Sequence, residues 1–162
     1  MGTKANANLS ELWPVVAFTA AYMLAAIALA LILGNLEFLY YIVVMLILVF
    51  VVWSVHKSVA LTNPVIWALS IWGFAHMAGG LVVVPESWSI DSGSRVLYSL
   101  WLIPERLKYD QIVHAYGFGV ATWVCWQGIS AAIRRRDGQV RPTAGLMVLS
   151  ASAGMGLGAL NE

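Results

Sequence analysis

Charge is what this 162-residue chain has least of. Nine basic and eight acidic residues make up 10% of it, against about 25% in a typical soluble domain. So few charges cannot cover a water-facing surface, and the mean hydropathy is +0.80. A formal net charge of +1 leaves no overall field to recruit nucleic acid. Cysteine is scarcer still: a single residue, Cys125, excludes an internal disulfide framework and a multi-cysteine metal site. It lies in an apolar run and reads as a small buried hydrophobe. A cleavable leader is not expected either, because the apolar stretch after Lys4 and Glu11 is too long for a signal core and lacks a small-residue cleavage site. The first helix is therefore expected to be retained. No Ser-His-Asp arrangement stands out, and Gly154-Met155-Gly156-Leu157-Gly158 lacks the preceding strand that a nucleotide-binding turn requires.

What the chain does have is long blocks that are apolar all round, without the polar stripe of a surface helix. A bilayer-spanning helix needs about 20 such residues. Five blocks qualify: Trp13–Leu33, Leu36–Trp53, Val65–Val84, Asp110–Ile133 and Thr143–Leu160. Ser10 and Pro14 suit the start of the first, Gly34-Asn35 a tight turn, Asn63-Pro64 the start of the third, and Arg134-Arg135-Arg136 the end of the fourth. The fifth is short and rich in Gly, Ala and Ser, and its Gly154-x-x-x-Gly158 suits close helix–helix approach. The expected fold is all-α: one polytopic transmembrane bundle over residues 1–162.

The loop between the fourth and fifth blocks carries Arg134, Arg135, Arg136 and Arg141, and cytoplasmic loops are rich in Lys and Arg. Five alternating spans then put Lys4 and Lys57 on that same side, six basic residues against Arg95, Arg106 and Lys108 on the other. The expectation is a bacterial inner-membrane protein with its N-terminus cytoplasmic and its C-terminus outside. In the outer connection 85–109, Val96, Leu97, Leu100 and Trp101 fall at helical spacing, which predicts a short interfacial helix over Arg95–Ile103 with aromatic anchors.

Ionisable residues inside a span cost on the order of 2.5–3.5 kcal/mol at its centre and so mark sites. His76 lies in the third span. Asp110 and His114 open the fourth, four residues apart and on one helical face. Glu162 ends the fifth. Alternating topology gathers all four at the outer side, with His76 expected ~7 Å deeper than His114 from the helical rise. Two imidazoles and two carboxylates from three helices are a candidate divalent-metal site. They are equally a hydrogen-bonded set that fixes helix register. His56, beside Lys57, reads as an interfacial residue.

The segments His76-Met77-Ala78-Gly79-Gly80, Tyr109-Asp110-Gln111-Ile112-Val113-His114 and Gly158-Ala159-Leu160-Asn161-Glu162 together resemble the YjdF-like family of bacterial inner-membrane proteins. The Asp-x-x-x-His opening is also similar to that of VanZ-like membrane proteins. The resemblance implies a multi-helix membrane fold and brings no assigned reaction. The family pattern carries a second acid one turn beyond the position of Glu162, where this sequence ends.

The residues point to two functions, and five spans without an internal repeat lend little to a third, a transporter. One is a metal-dependent membrane enzyme using some of His76, Asp110, His114 and Glu162 on a lipid or lipid-linked head group at the outer leaflet. The other is an accessory or scaffold subunit of a larger membrane assembly or homo-oligomer. A variant of the latter binds a tetrapyrrole axially through His76 and His114, with Gly79, Gly80, Gly117 and Gly119 making room for the macrocycle.

Overall fold

The computed structural model describes residues 9–34 and 36–159, and five α-helices lie within them: α1 (Leu9–Ile32), α2 (Leu36–Val59), α3 (Asn63–Leu81), α4 (Tyr109–Asp137) and α5 (Ala144–Ala159). The all-α bundle expected from the sequence is the fold. Helices α1, α2 and α3 hold 24, 24 and 19 residues, roughly 28–36 Å at 1.5 Å per residue, which matches the ~30 Å hydrocarbon core. These three are long and apolar enough to cross a membrane, while α5 is apolar but shorter. Helix α4 is the longest, at 29 residues, and mixes polar with apolar side chains.

Successive helices run antiparallel. The principal core gathers Tyr22, Met23, Ala26 and Ala30 of α1, Phe38, Ile42 and Met45 of α2, and Met77 and Leu81 of α3. It sits where α1 turns into α2 through Gly34, whose φ of 63° is left-handed and natural for glycine. The same end carries the α3–α4 connection and is called the hairpin end below. At the opposite, arginine end, Gln127 of α4 donates to Thr62 Oγ1 (2.7 Å) and accepts from the Thr62 N–H (2.9 Å), and Arg135 donates to the Ser58 carbonyl. Between its ends α2 is thinly packed: Leu46, Ile47, Phe50, Val51 and Trp53 are 41–68% exposed. Lipid would cover such a surface at no cost, whereas water would not.

Helices α4 and α5 pack closely through the expected glycines. A Cβ added to Gly154 would meet the Thr122 backbone, and one added to Gly158 would meet the Phe118 ring. Four residues along α5 thus match four back along α4, which is the small-residue packing that the spacing implied.

Several boundaries differ from expectation. Ser10 lies inside α1 rather than capping it. Helix α2 continues past Trp53 to Val59. Helix α3 ends at Leu81, after which Val83 pairs with Val96 as an extended bridge. The three arginines do not stop α4; it runs on to Asp137 and ends at Gly138, whose φ is 82°. The interfacial helix is not formed. In its place are a single 3-10 turn, Leu97–Ser99, and a hairpin of β1 (Trp101–Ile103) and β2 (Leu107–Lys108). A nine-residue segment is too short for a stable isolated helix. Here its peptide groups pair across the loop instead, Trp101 N–H to Ser89 O and Asp91 N–H to Ser99 O.

Candidate site at the hairpin end

Helix α4 opens with Asp110, and four residues on His114 Nε2 lies 3.0 Å from Asp110 Oδ1. Both side chains are about one-third exposed. The pair that the spacing suggested is therefore made.

His76 is held differently. Its Nδ1 lies 2.6 Å from the Tyr98 hydroxyl. The Tyr98 ring rests over Gly79, where an added Cβ would come within 2.6 Å of it, so only glycine at 79 leaves this tyrosine its place. Tyr98 belongs to the stretch expected to be helical, and sequence reasoning assigned it only to the interface. The available signal was a glycine three residues after a histidine in an apolar helix, a gap that some side chain has to fill.

Two tyrosines of α4 set its register on α3: Tyr109 donates to the Ala75 carbonyl (2.9 Å) and Tyr116 to the Ala68 carbonyl (3.2 Å). Trp72 completes the contact. Its indole stacks on the His76 ring, with centroids 5.3 Å apart, and packs on Gly117. These contacts lay the first turns of α4 beside α3, with His114 opposite the stretch from Ser70 to Ala75.

Among the described residues, no three His, Cys, Asp or Glu side chains come together as a metal-binding group. The proposed ligand Glu162 lies outside the described residues. Three of the glycines considered as space for a macrocycle are covered by aromatic rings: Gly79 by Tyr98, Gly80 by Phe38 and Gly117 by Trp72. Gly119 has nothing within 4 Å of an added Cβ.

The loop is fastened over this end. Lys108 Nζ lies 3.0 Å from Asp91 Oδ2 and 5.7 Å from the Trp101 ring centroid, and Arg95 donates to the Pro85 and Trp88 carbonyls. The Lys108 hydrogen bond, with help from the Ser92 backbone, holds the Asp91 carboxyl below its ordinary pKa.

Two apolar cavities flank α2 and share a wall of Leu48, Val52, Leu69 and Trp72. One, of about 310 Å³, lies among α1, α2 and α3 and reaches His56, whose ring lies near Trp53. The other, of about 330 Å³, lies between α2 and the α4–α5 pair, and His114 is in its wall.

Apolar helices of spanning length, with a polar cluster at one end of the bundle, define a membrane protein. The chain belongs to the family described as predicted membrane protein (DUF2238), whose family model matches residues 14–162. The YjdF-like resemblance agrees with that membership. No curated protein and no solved structure shows significant similarity to the chain.

Proposed function

We propose that the chain is a multi-pass protein of the bacterial inner membrane, N-terminus cytoplasmic. In this reading α4 and α5 cross with α1–α3, and the hairpin end faces outward. Its site is a divalent-metal centre built on His76 and His114 that acts on the head group of a lipid or lipid-linked substrate at the outer leaflet. One observation carries the reading: each histidine has one ring nitrogen held by an oxygen partner, His114 Nε2 by Asp110 and His76 Nδ1 by Tyr98. Ligating histidines are oriented in this way, the second nitrogen being held by a carboxylate or another oxygen. The two imidazoles would hold the ion, and Asp110 would be an orienting residue. Glu162, the remaining member of the expected set, would supply a carboxylate. The ion would polarise a phosphoryl or carbonyl oxygen, or lower the pKa of a bound water.

The test is metal content and thermal stability of the purified protein after loading with zinc or manganese. About one equivalent is expected in the parent, and His76→Ala or His114→Ala should each remove most of it. The double variant should add little, because both residues serve one ion. No metal under any loading condition, with additive stability losses, overturns the metal centre. It would then favour the accessory-subunit reading, in which the two pairs fix helix register. The tetrapyrrole variant loses support from the aromatic rings over Gly79, Gly80 and Gly117, and a Soret band in the purified protein would restore it.

A further inference from the structure

The cavity between α2 and α4–α5 has the polarity of half an amphiphile. On α4 its wall is the stripe His114, Gly117, Phe118, Ala121 and Val124, and on α2 it is Leu48, Val51, Val52 and Val55. Each set recurs at helical spacing on a single face, so two apolar stripes look at each other across a gap. Helices α2 and α4 touch only sparsely, which is why the gap exists. Among the described residues, His114 is the one ionisable side chain in the wall, and it stands at the hairpin end of the α4 stripe. A dry apolar cavity does not hold water, which needs polar partners, and instead accepts apolar molecules.

Size narrows the occupant. From His114 to Val124 is ten residues, ~15 Å by helical rise, or about half of the ~30 Å hydrocarbon core. The volume of about 330 Å³ is at the lower end of the ~300–1,000 Å³ usual for ligand pockets. That favours one narrow chain over a ring system.

We propose that this cavity holds a single hydrocarbon tail of a lipid, with the head group of the same molecule at Asp110 and His114. The proposal rests on the reading of the hairpin end as a lipid head-group site and deepens it: the substrate is chosen by its tail and arrives sideways from the bilayer, past the thinly packed middle of α2. Trp72 sits where tail and head part, since it walls the cavity, packs on Gly117 and stacks on His76.

The experiment places the protein in nanodiscs of phosphatidylethanolamine and phosphatidylglycerol with a trace of phosphatidylglycerol carrying a mid-tail diazirine. After photolysis, adducts are mapped by peptide mass spectrometry. Saturable labelling is expected on Val51, Val55, Ala121 and Val124. Ala121→Trp, which fills the cavity from its own wall, should lower it about tenfold, the equivalent of about 1.4 kcal/mol of binding. Should that variant not fold, Val51→Phe and Val124→Phe narrow the same space from either side. Labelling confined to the outward stripe Val43, Ile47 and Phe50 and indifferent to these substitutions would mean bulk lipid only, and would overturn the proposal. In a Cys125→Ala background, an oxidative disulfide between two chains through a cysteine placed at Val124 would assign the wall to a second copy and overturn it equally. Metal measured on the same samples keeps the two readings apart. Wall labelling in a protein that binds no metal leaves the tail site standing and removes the metal centre. Metal bound by a parent without wall labelling does the reverse.

Discussion

His76 shows what a single half-buried polar side chain demands of its surroundings. An imidazole in an apolar helix needs a partner, and the hydroxyl of Tyr98 provides one at 2.6 Å because Gly79 leaves room for the ring. Tyr98→Phe should keep the ring in place and lose the bond, costing about 1 kcal/mol of stability and shifting the ¹⁵N resonances of the His76 ring. Unmoved ring resonances would show that the bond is not made. A second residue-scale expectation concerns acid. Lys108 lowers the folded-state pKa of Asp91, so the clasp stabilises the loop fully above the unfolded carboxyl value of ~3.9. It is lost as pH falls through the lower, folded value. The protection factor of the Trp101 amide, bonded to Ser89 O, should therefore fall only in that acid range, and in Asp91→Asn it should be low at every pH. Equal exchange in the two proteins at neutral pH would remove the clasp from the account. Of these contacts, only the Asp110–His114 pair could be read from the sequence, because four residues on one helix fix a neighbour. Tyr98 and Asp91 reach their partners across a loop whose path no local spacing encodes.

Among the elements, the five helices were legible because apolar length is a one-dimensional property of the chain. Their ends were less so. Trp53 looked like a boundary, yet α2 continues through His56 and Lys57, whose long or aromatic side chains tolerate an interface. The connection 85–109 misled for a different reason. Val96, Leu97, Leu100 and Trp101 fit a helical face, but over so few residues that face cannot be told from a strand and a turn. The glycine spacing of α5 carried further, and it makes a contrast that can be measured. Gly154→Ala pushes a methyl into the Thr122 backbone and should cost about 1–3 kcal/mol, as overpacking does. Gly119→Ala meets nothing within 4 Å and should be neutral or gain up to about 1 kcal/mol from helix propensity. Thermal unfolding in detergent compares the two, and equal losses would mean that the α4–α5 contact is looser than described.

For the molecule as a whole, the proposed orientation rests on six basic residues against three, and cysteine labelling tests it. In a Cys125→Ala background, a cysteine at Ser92 should react with an impermeant maleimide in intact cells, and one at Gly138 only after lysis. Reaction of position 138 in intact cells inverts the topology and moves the hairpin end to the cytoplasm. The cavities were not legible in the sequence at all, since they arise from how far α2 stands from α4, and no single segment records that distance. The way α2 is attached has a mechanical consequence. Phe38, Ile42 and Met45 hold its first turns in the core, and Arg135 holds the carbonyl of Ser58 near its last, leaving the stretch between with few neighbours. A rod clamped at both ends yields at its centre, so α2 should bow rather than swing. The bundle can then widen for a guest without parting either set of clamps, and a covalent tie at the ends of α2 should slow that widening far less than one placed at its midpoint.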